Sequence, residues 1–420
     1  MVARLIVLLV ILSTLAGCAP PVKRPAERPA PPIAKPSVPK PSALVRVPDA
    51  QPLSFADDMD LASLRAAIDK SLHFYSHGAA NGSFRMGDAL VTREELRESL
   101  IALREILLLD EPDDLKQQRI REGFDVYQST GLDGKNTVLF TGYFEAIMDG
   151  SLERTDRYAY PIYRVPDDAV RVNLGRFREA YKGEQLIGRV KDGELIPYYS
   201  RAEIEDRGSL ADRNLEIAWV DDRINLFFLH TQGSGKIRLP DGGLLQVGYA
   251  LKNGHPFRSV RTYLLDKGRI TPQGSSYRAV KKYLREHPEE LSEVLGYNGS
   301  FIFFRVVEQG PVGSLGEILV PGRSIAADAA VFPRGALAFM KARKPILDRE
   351  GNVEGWIPFS RFVFSQDAGG MIKGAGRIDL FCGSGDEAEM LAGSLAERGE
   401  LYFLVKKRTG TLPAAAVGKP

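Results

Sequence analysis

Cysteine is almost missing from this chain. It occurs only at positions 18 and 382, so no disulfide framework is available and the fold must rest on its core. A length of 420 residues with 44% hydrophobic content is ample for that and allows two domains of ordinary size. Histidine is scarce too, at 73, 77, 230, 255 and 287. His73 and His77 stand four apart, a metal-ligand spacing, but no third ligand or zincin glutamate accompanies them; a solvated helix face is the reading, and no metal is expected. His230 is open between a substrate contact and a structural role. An excess of one charge sign is also absent. With 56 cationic and 54 anionic side chains the net charge is +2, and nothing points to a nucleic-acid partner. There is no nucleophile elbow, since Gln232-Gly233-Ser234-Gly235-Lys236 lacks that spacing, and no Walker loop, since Gly374 is followed by Ala375-Gly376-Arg377.

What is present begins with Arg4 and the apolar run Leu5 to Leu12, roughly half of the about 20 residues a membrane span needs. This reads as a secretory signal over residues 1–17. Its end, Leu15-Ala16-Gly17-Cys18, resembles the bacterial lipobox. That resemblance implies a lipidated Cys18 as the first mature residue, carrying enough acyl chain for stable anchoring and leaving Cys382 without a disulfide partner. Ala19 after the cysteine implies the periplasmic face of the outer membrane. From 18 to 52 the chain is rich in proline, interleaved with Lys23, Arg24, Arg28, Lys35 and Lys40. It reads as a tether, extended at about 3.1 Å per residue.

Helical spacing follows at Leu61 to Leu72, and Thr92-Arg93-Glu94-Glu95 opens a second helix as a capping box. Ile120 to Tyr127 is expected to add a third. Past Asn136 the texture changes to short β-branched and aromatic runs between Gly, Pro, Asn and Asp, such as Thr137 to Thr141 and Ser300 to Val306. Helices are expected at Ser276 to His287 and at Asp386 to Arg398, the latter closed by Gly399, with a last strand at Leu401 to Val405. Many short strands and few helices argue for barrels rather than a doubly wound sheet.

Chemistry concentrates in Ser365 to Phe381, a glycine-rich turn with Asp367 on one side and Asp379 on the other. Strand alternation puts Ile378 and Leu380 on one face and Arg377, Asp379 and Phe381 on the other. With the apolar pair facing a core, Asp379 faces a cleft. Burial and a neighbouring like charge would raise its pKa and keep it protonated as a general acid, while Arg377 would act the other way. A structural aspartate capping backbone amides is the alternative. Asp367 is expected to hold the turn through Asx-type bonds, and the glycines to permit positive φ.

Gln366 to Gly374 with Arg377 to Gly385, and Asp328 upstream, resemble the three-aspartate (3D) domain of the membrane-bound lytic murein transglycosylase A family. The segments Phe140 to Glu145, Tyr160 to Tyr163, Pro197 to Ile204, Gln232 to Gly235, Lys252 to Ser259 and Asn298 to Phe304 match the family as well. The departures are Phe144, where the family often has a second tyrosine, and Cys382, at a variable position. The resemblance implies a mainly β fold with N-terminal helices: a double-psi β-barrel domain (53–145 and 311–406) with a second β-barrel domain inserted (146–310), a groove between them, and a tail at 407–420. It implies Asp379 as the catalytic acid, Thr141 beside it in the groove, and Asp328 and Asp367 as the domain's other two acids. Tyr143, Gln232, Gly369, Gly370 and Lys373 lie in the matched segments as substrate-binding or supporting positions. Tyr143 and Tyr199 are open between stacking on sugars and packing in a core. The implied activity is non-hydrolytic cleavage of the β-1,4 bond between N-acetylmuramic acid and N-acetylglucosamine in peptidoglycan, a carbon–oxygen lyase reaction giving 1,6-anhydro ends and using no cofactor. The implied partners are peptidoglycan glycan strands and the membrane, with cell-wall synthases and amidases as candidates. Two other classes compete. One is a wall-binding lipoprotein without activity; the other is an aspartic-type hydrolase, because Asp367-Ala368-Gly369 resembles the Asp-Thr-Gly of those enzymes.

Overall fold

The computed structural model describes residues 42–77, 82–271, 276–348 and 352–408. The signal segment, Cys18, the tether up to Pro41 and the tail from 409 lie outside the described residues. Residues 42–52, read as tether from their prolines, belong to the fold. Leu44–Arg46 forms a strand paired antiparallel with Phe124–Ser129, and Leu44 and Val47 are buried.

Helix α1 (Leu61–Ser76) starts at Asp60, whose carboxylate accepts from Ser63 N at 2.7 Å, and buries Leu64, Ala67, Ile68, Ser71 and Tyr75 on one stripe. Helix α2 (Arg93–Leu108) has the expected capping box, with both Thr92 and Glu95 bonds formed; such a cap contributes about 1 kcal/mol. The third helix is displaced from its expected place: α3 runs Asp113–Gly123, and Phe124–Ser129 is a strand. Phe124, Val126 and Tyr127 are all buried, and tertiary pairing overrides their helical spacing.

Eleven strands build two rings. In chain order they are β1 (Val138–Ser151), β2 (Tyr160–Tyr163), β3 (Glu216–Val220), β4 (Ser234–Arg238), β5 (Leu244–Lys252), β6 (Ile302–Val306), β7 (Ser324–Ala326), β8 (Leu337–Leu347), β9 (Val353–Asp367), β10 (Arg377–Ser384) and β11 (Ala396–Lys406). The first ring runs β11–β8–β9–β7–β10–β1 and closes where β1 pairs β11. Its β7–β9 and β10–β1 pairings are parallel within an otherwise antiparallel ring, the double-psi pattern. Phe140, Ile325, Phe339, Phe362, Phe364, Ile378, Leu380 and Phe403 fill it. The second ring runs β2–β3–β1–β4–β5–β6, and a bridge between Arg164 and Phe304 joins its ends. Ile162, Val220, Ile237, Val247 and Phe304 lie in its core.

One strand therefore serves both barrels. Residues 138–145 of β1 pair β10 and β11, whereas Ala146–Asp149 pair β4 and Gly150–Ser151 pair β3. Helix α4 (Arg223–Gln232), capped by Asp222, packs under the second ring, and α5 (Tyr277–Glu286) lies where a helix was expected. Helix α6 (Asp386–Ser394) stops short of Arg398. Gly399 is no helix cap but sits inside β11, where a Cβ would stand 2.1 Å from the Lys341 carbonyl oxygen. The close approach of β8 and β11, rather than a left-handed turn, demands that glycine. Among the described residues no helix is long and apolar enough to cross a membrane.

Candidate active site

Register brings the site together. β10 runs parallel to β1 with Asp379 opposite Thr141, and antiparallel to β7 with Asp379 opposite Ala326. Neighbouring strands lie about 4.8 Å apart, so Thr141 stands beside Asp379 and its hydroxyl donates to Asp379 Oδ1. The expected alternation holds: Ile378 and Leu380 are buried in the first barrel, while Arg377 and Asp379 are half-buried. Arg377 reaches Thr141 Oγ1 with Nη2 at 3.5 Å. Burial raises the Asp379 pKa, and the Asp367 charge adds to this; the Thr141 hydrogen bond and the Arg377 charge oppose it.

Asp367 ends β9 and is held differently. Its Oδ2 accepts from the Tyr143 hydroxyl at 2.8 Å, and its Oδ1 from Ser314 N and Ala368 N, both at 2.8 Å. The carboxyl thus ties three segments together, and one of its contacts is local to the turn. Burial raises its pKa against those three bonds. Asp328 accepts from Ala330 N at 3.1 Å and, through its other oxygen, from Gly374 N at 2.8 Å, so it pins the glycine loop. Within that loop Gly374 takes positive φ (74°), and Gly369 and Gly370 do not. Lys373 is exposed on it.

Tyr143 lies 5.3 Å from the Phe381 ring. Gln232, the last residue of α4, accepts from Phe144 N at 3.1 Å and so fixes the β1 backbone next to Tyr143. Tyr199 belongs elsewhere, edge-on to Tyr198 and under the Arg189 guanidinium at 4.2 Å. His230 is buried in α4, with Nδ1 2.9 Å from Arg201 Nη1 and its ring against Phe301 and Phe304. Its role is in packing. His73 is exposed and paired with Glu317.

Glu145 is a further buried acid of the site region. It is fully buried at the passage from one barrel to the other, accepting from Ser384 Oγ at 2.5 Å and from Gln246 Nε2, with Lys236 Nζ at 3.1 Å. An acid between Phe144 and Ala146 in a strand buried on both faces was the available signal.

Two β-barrels threaded by one strand, with Asp379 of the neighbouring β10 set opposite Thr141 of that strand, define a two-barrel protein with a carboxyl beside the crossover. Residues 139–305 match the family model for the MltA specific insert domain, and 323–405 the 3D domain. Membrane-bound lytic murein transglycosylase A of Escherichia coli K12 is 32% identical over 285 residues, 67% of this chain and 69% of the relative; the Vibrio cholerae protein of the same name is 29% identical with the same coverage. Among solved structures, the membrane-bound lytic murein transglycosylase from Agrobacterium tumefaciens superposes with a TM-score of 0.68 at 29% identity, covering 82% of this chain and 93% of that one. E. coli MltA with bound chitohexaose gives 0.67 at 26% identity, covering 87% and 95%. The chain belongs to the membrane-bound lytic murein transglycosylase A family.

Proposed function

We propose that this chain cleaves the β-1,4 bond between N-acetylmuramic acid and N-acetylglucosamine in peptidoglycan without water, using Asp379 alone as acid and then base. The observation that carries the reading is the isolation of that carboxyl. Its Oδ1 is taken by Thr141, burial favours its protonated form, and Asp367 is engaged with its own three donors instead of sharing a proton across a dyad.

Protonated Asp379 gives its proton to the glycosidic oxygen as the C1–O bond breaks, and C1 of the muramoyl residue gains oxocarbenium character. The carboxylate left behind takes the proton of the sugar's own C6 hydroxyl. O6 then bonds to C1 and closes a 1,6-anhydro ring, which leaves Asp379 protonated for the next cycle. A tethered nucleophile replaces an activated water, so a second carboxylate has no task. The chitohexaose in the E. coli relative is a β-1,4 amino-sugar chain, which suits a glycan strand as substrate. Lipidation at Cys18 would hold the enzyme to the periplasmic face of the outer membrane, in keeping with relatives named as membrane-bound. Wall synthases and amidases remain candidate partners.

The test is mass analysis of sugars released from purified sacculi. Anhydro ends, one water lighter than reducing ends, are expected from the wild type and none from Asp379→Ala; reducing ends from the wild type would overturn the reading.

A further inference from the structure

Between β2 and β3 the second barrel extends a three-stranded antiparallel sheet, Val170–Asn173, Gln185–Lys191 and Glu194–Pro197. Its two faces differ. Ile187 packs against the core cluster around Tyr163 and Tyr198, and Arg189 covers Tyr199, so odd-numbered positions of the central strand face the body. Alternation then turns Leu186 and Val190 outward. Register sets Val172 beside Leu186 and Leu195 beside Val190. The result is an aliphatic face open to solvent, with Leu186, Val190 and Leu195 exposed by 49%, 61% and 40%. Phe177 and Tyr181, on the loop joining the first two strands, are 74% and 40% exposed. Around them the segment is basic. On the loop Arg176, Arg178 and Lys182 stand against Glu179, while over the whole stretch Val170 to Pro197 six cations meet four anions, Glu184, Asp192 and Glu194 among them.

We infer that this sheet and its loop form a second membrane contact, seating Phe177 and the aliphatic face at the surface of an anionic bilayer. The Phe177 loop, an exposed ring between Arg176 and Arg178 beside the aliphatic face, matches the interfacial zone, where rings sit at headgroup level and cations meet lipid phosphates. A glycan strand fits the face poorly, because an aliphatic sheet offers no partners for its hydroxyls. A second copy also fits poorly. Strands of 4, 7 and 4 residues present about 300 Å², short of the roughly 800 Å² per partner of a stable interface.

The test uses the mature chain from Ala19, which lacks the lipidated cysteine, in flotation with vesicles of phosphatidylglycerol and phosphatidylethanolamine or of phosphatidylcholine. Binding to the anionic vesicles is expected to be at least tenfold stronger and to weaken with salt. It should fall at least tenfold in Phe177→Ser/Leu186→Ser, and its salt dependence should flatten in Arg176→Ser/Arg178→Ser. Phe177→Trp should shift its emission to the blue on adding anionic vesicles and not on adding sacculi. Turnover of sacculi by the same proteins reports folding and, separately, the enzymatic reading. Equal binding by wild type and variants overturns the inference, as does the absence of binding. So does a dimer dissociated by Phe177→Ser, or retention on sacculi that Phe177→Ser/Leu186→Ser abolishes.

Discussion

The two barrel regions treat their ionisable groups in opposite ways, as Arg201 and Asp379 show. Arg201, beside the second ring, is 1% exposed, and its guanidinium is nearly saturated. It donates to Glu205, to the Asn298 and Ser300 carbonyls at 3.2 and 2.8 Å, and to His230 Nδ1 at 2.9 Å, with Phe227 and Phe301 flanking it. Asp379, on the first ring, has Thr141 as its hydrogen-bonding side chain and Asp367 as an adverse neighbour. A group given every partner is fixed in one charge state. A group given too few is left freer to exchange a proton, and the role proposed for Asp379 rests on that difference.

The largest effect expected is on the reactive side. Asp379→Asn should lower the release of anhydro sugars by at least about a thousandfold, since on the proposed mechanism one residue supplies both acid and base. The same change should raise the melting temperature at neutral pH. A carboxyl whose folded pKa is raised costs stability once ionised, so the gain is present above the folded pKa and disappears below the ordinary aspartate value. A thermal scan at pH 7 and at pH 3.5 reads both, and a lower melting temperature at pH 7 would place Asp379 in the framework.

Arg201→Met tests the other side. Leaving Glu205 partly buried beside Arg223 alone is expected to cost about 3–5 kcal/mol in urea unfolding; a loss below about 1 kcal/mol would put the two sites on the same footing. His230 gives a smaller, pH-dependent version. Burial and then Arg201 hold its pKa well below the usual value, so the folded state refuses a proton that the unfolded state takes below about pH 6.5. Wild-type stability should fall as pH drops through that range. In His230→Gln the slope should be shallower by up to about 1.4 kcal/mol per pH unit.

The comparison also shows how far the sequence carried. The site strand was readable because alternation in Arg377 to Phe381 places Asp379 opposite Ile378 and Leu380 whatever the surrounding topology. The two-barrel arrangement was readable through the family segments, which span both rings. Periodicity alone did not reveal that Phe124 to Ser129 pairs with β11, because a strand buried on both faces has no alternation to display. Gly399 misled for a related reason: glycine marks a helix end and a tight strand approach alike. Arg201 and Glu145 were hard to read because most of their partners, the Asn298 and Ser300 carbonyls and His230 for one, Ser384, Gln246 and Lys236 for the other, come from distant segments.

Thr141 offers the finest test, since among the described residues it is the side-chain donor that ties the Asp379 carboxyl to β1. Thr141→Val keeps the volume and β-branching and removes the hydrogen bond to the ionised form, so the Asp379 pKa should rise further. Because the acid step needs the protonated carboxyl, the high-pH limb of the turnover profile should move upward. Misplacement of the carboxyl should lower the rate plateau by about tenfold. Arg377→Gln removes a charge that acts in the same sense from farther away, through the 3.5 Å contact to Thr141, and should move the limb in the same direction by less. If Thr141 merely packed, Thr141→Val would leave the limb in place and Arg377→Gln would shift it alone. Asp379 would then be tuned by long-range charge, and the contrast with the saturated Arg201 would rest on burial instead of on the count of donors.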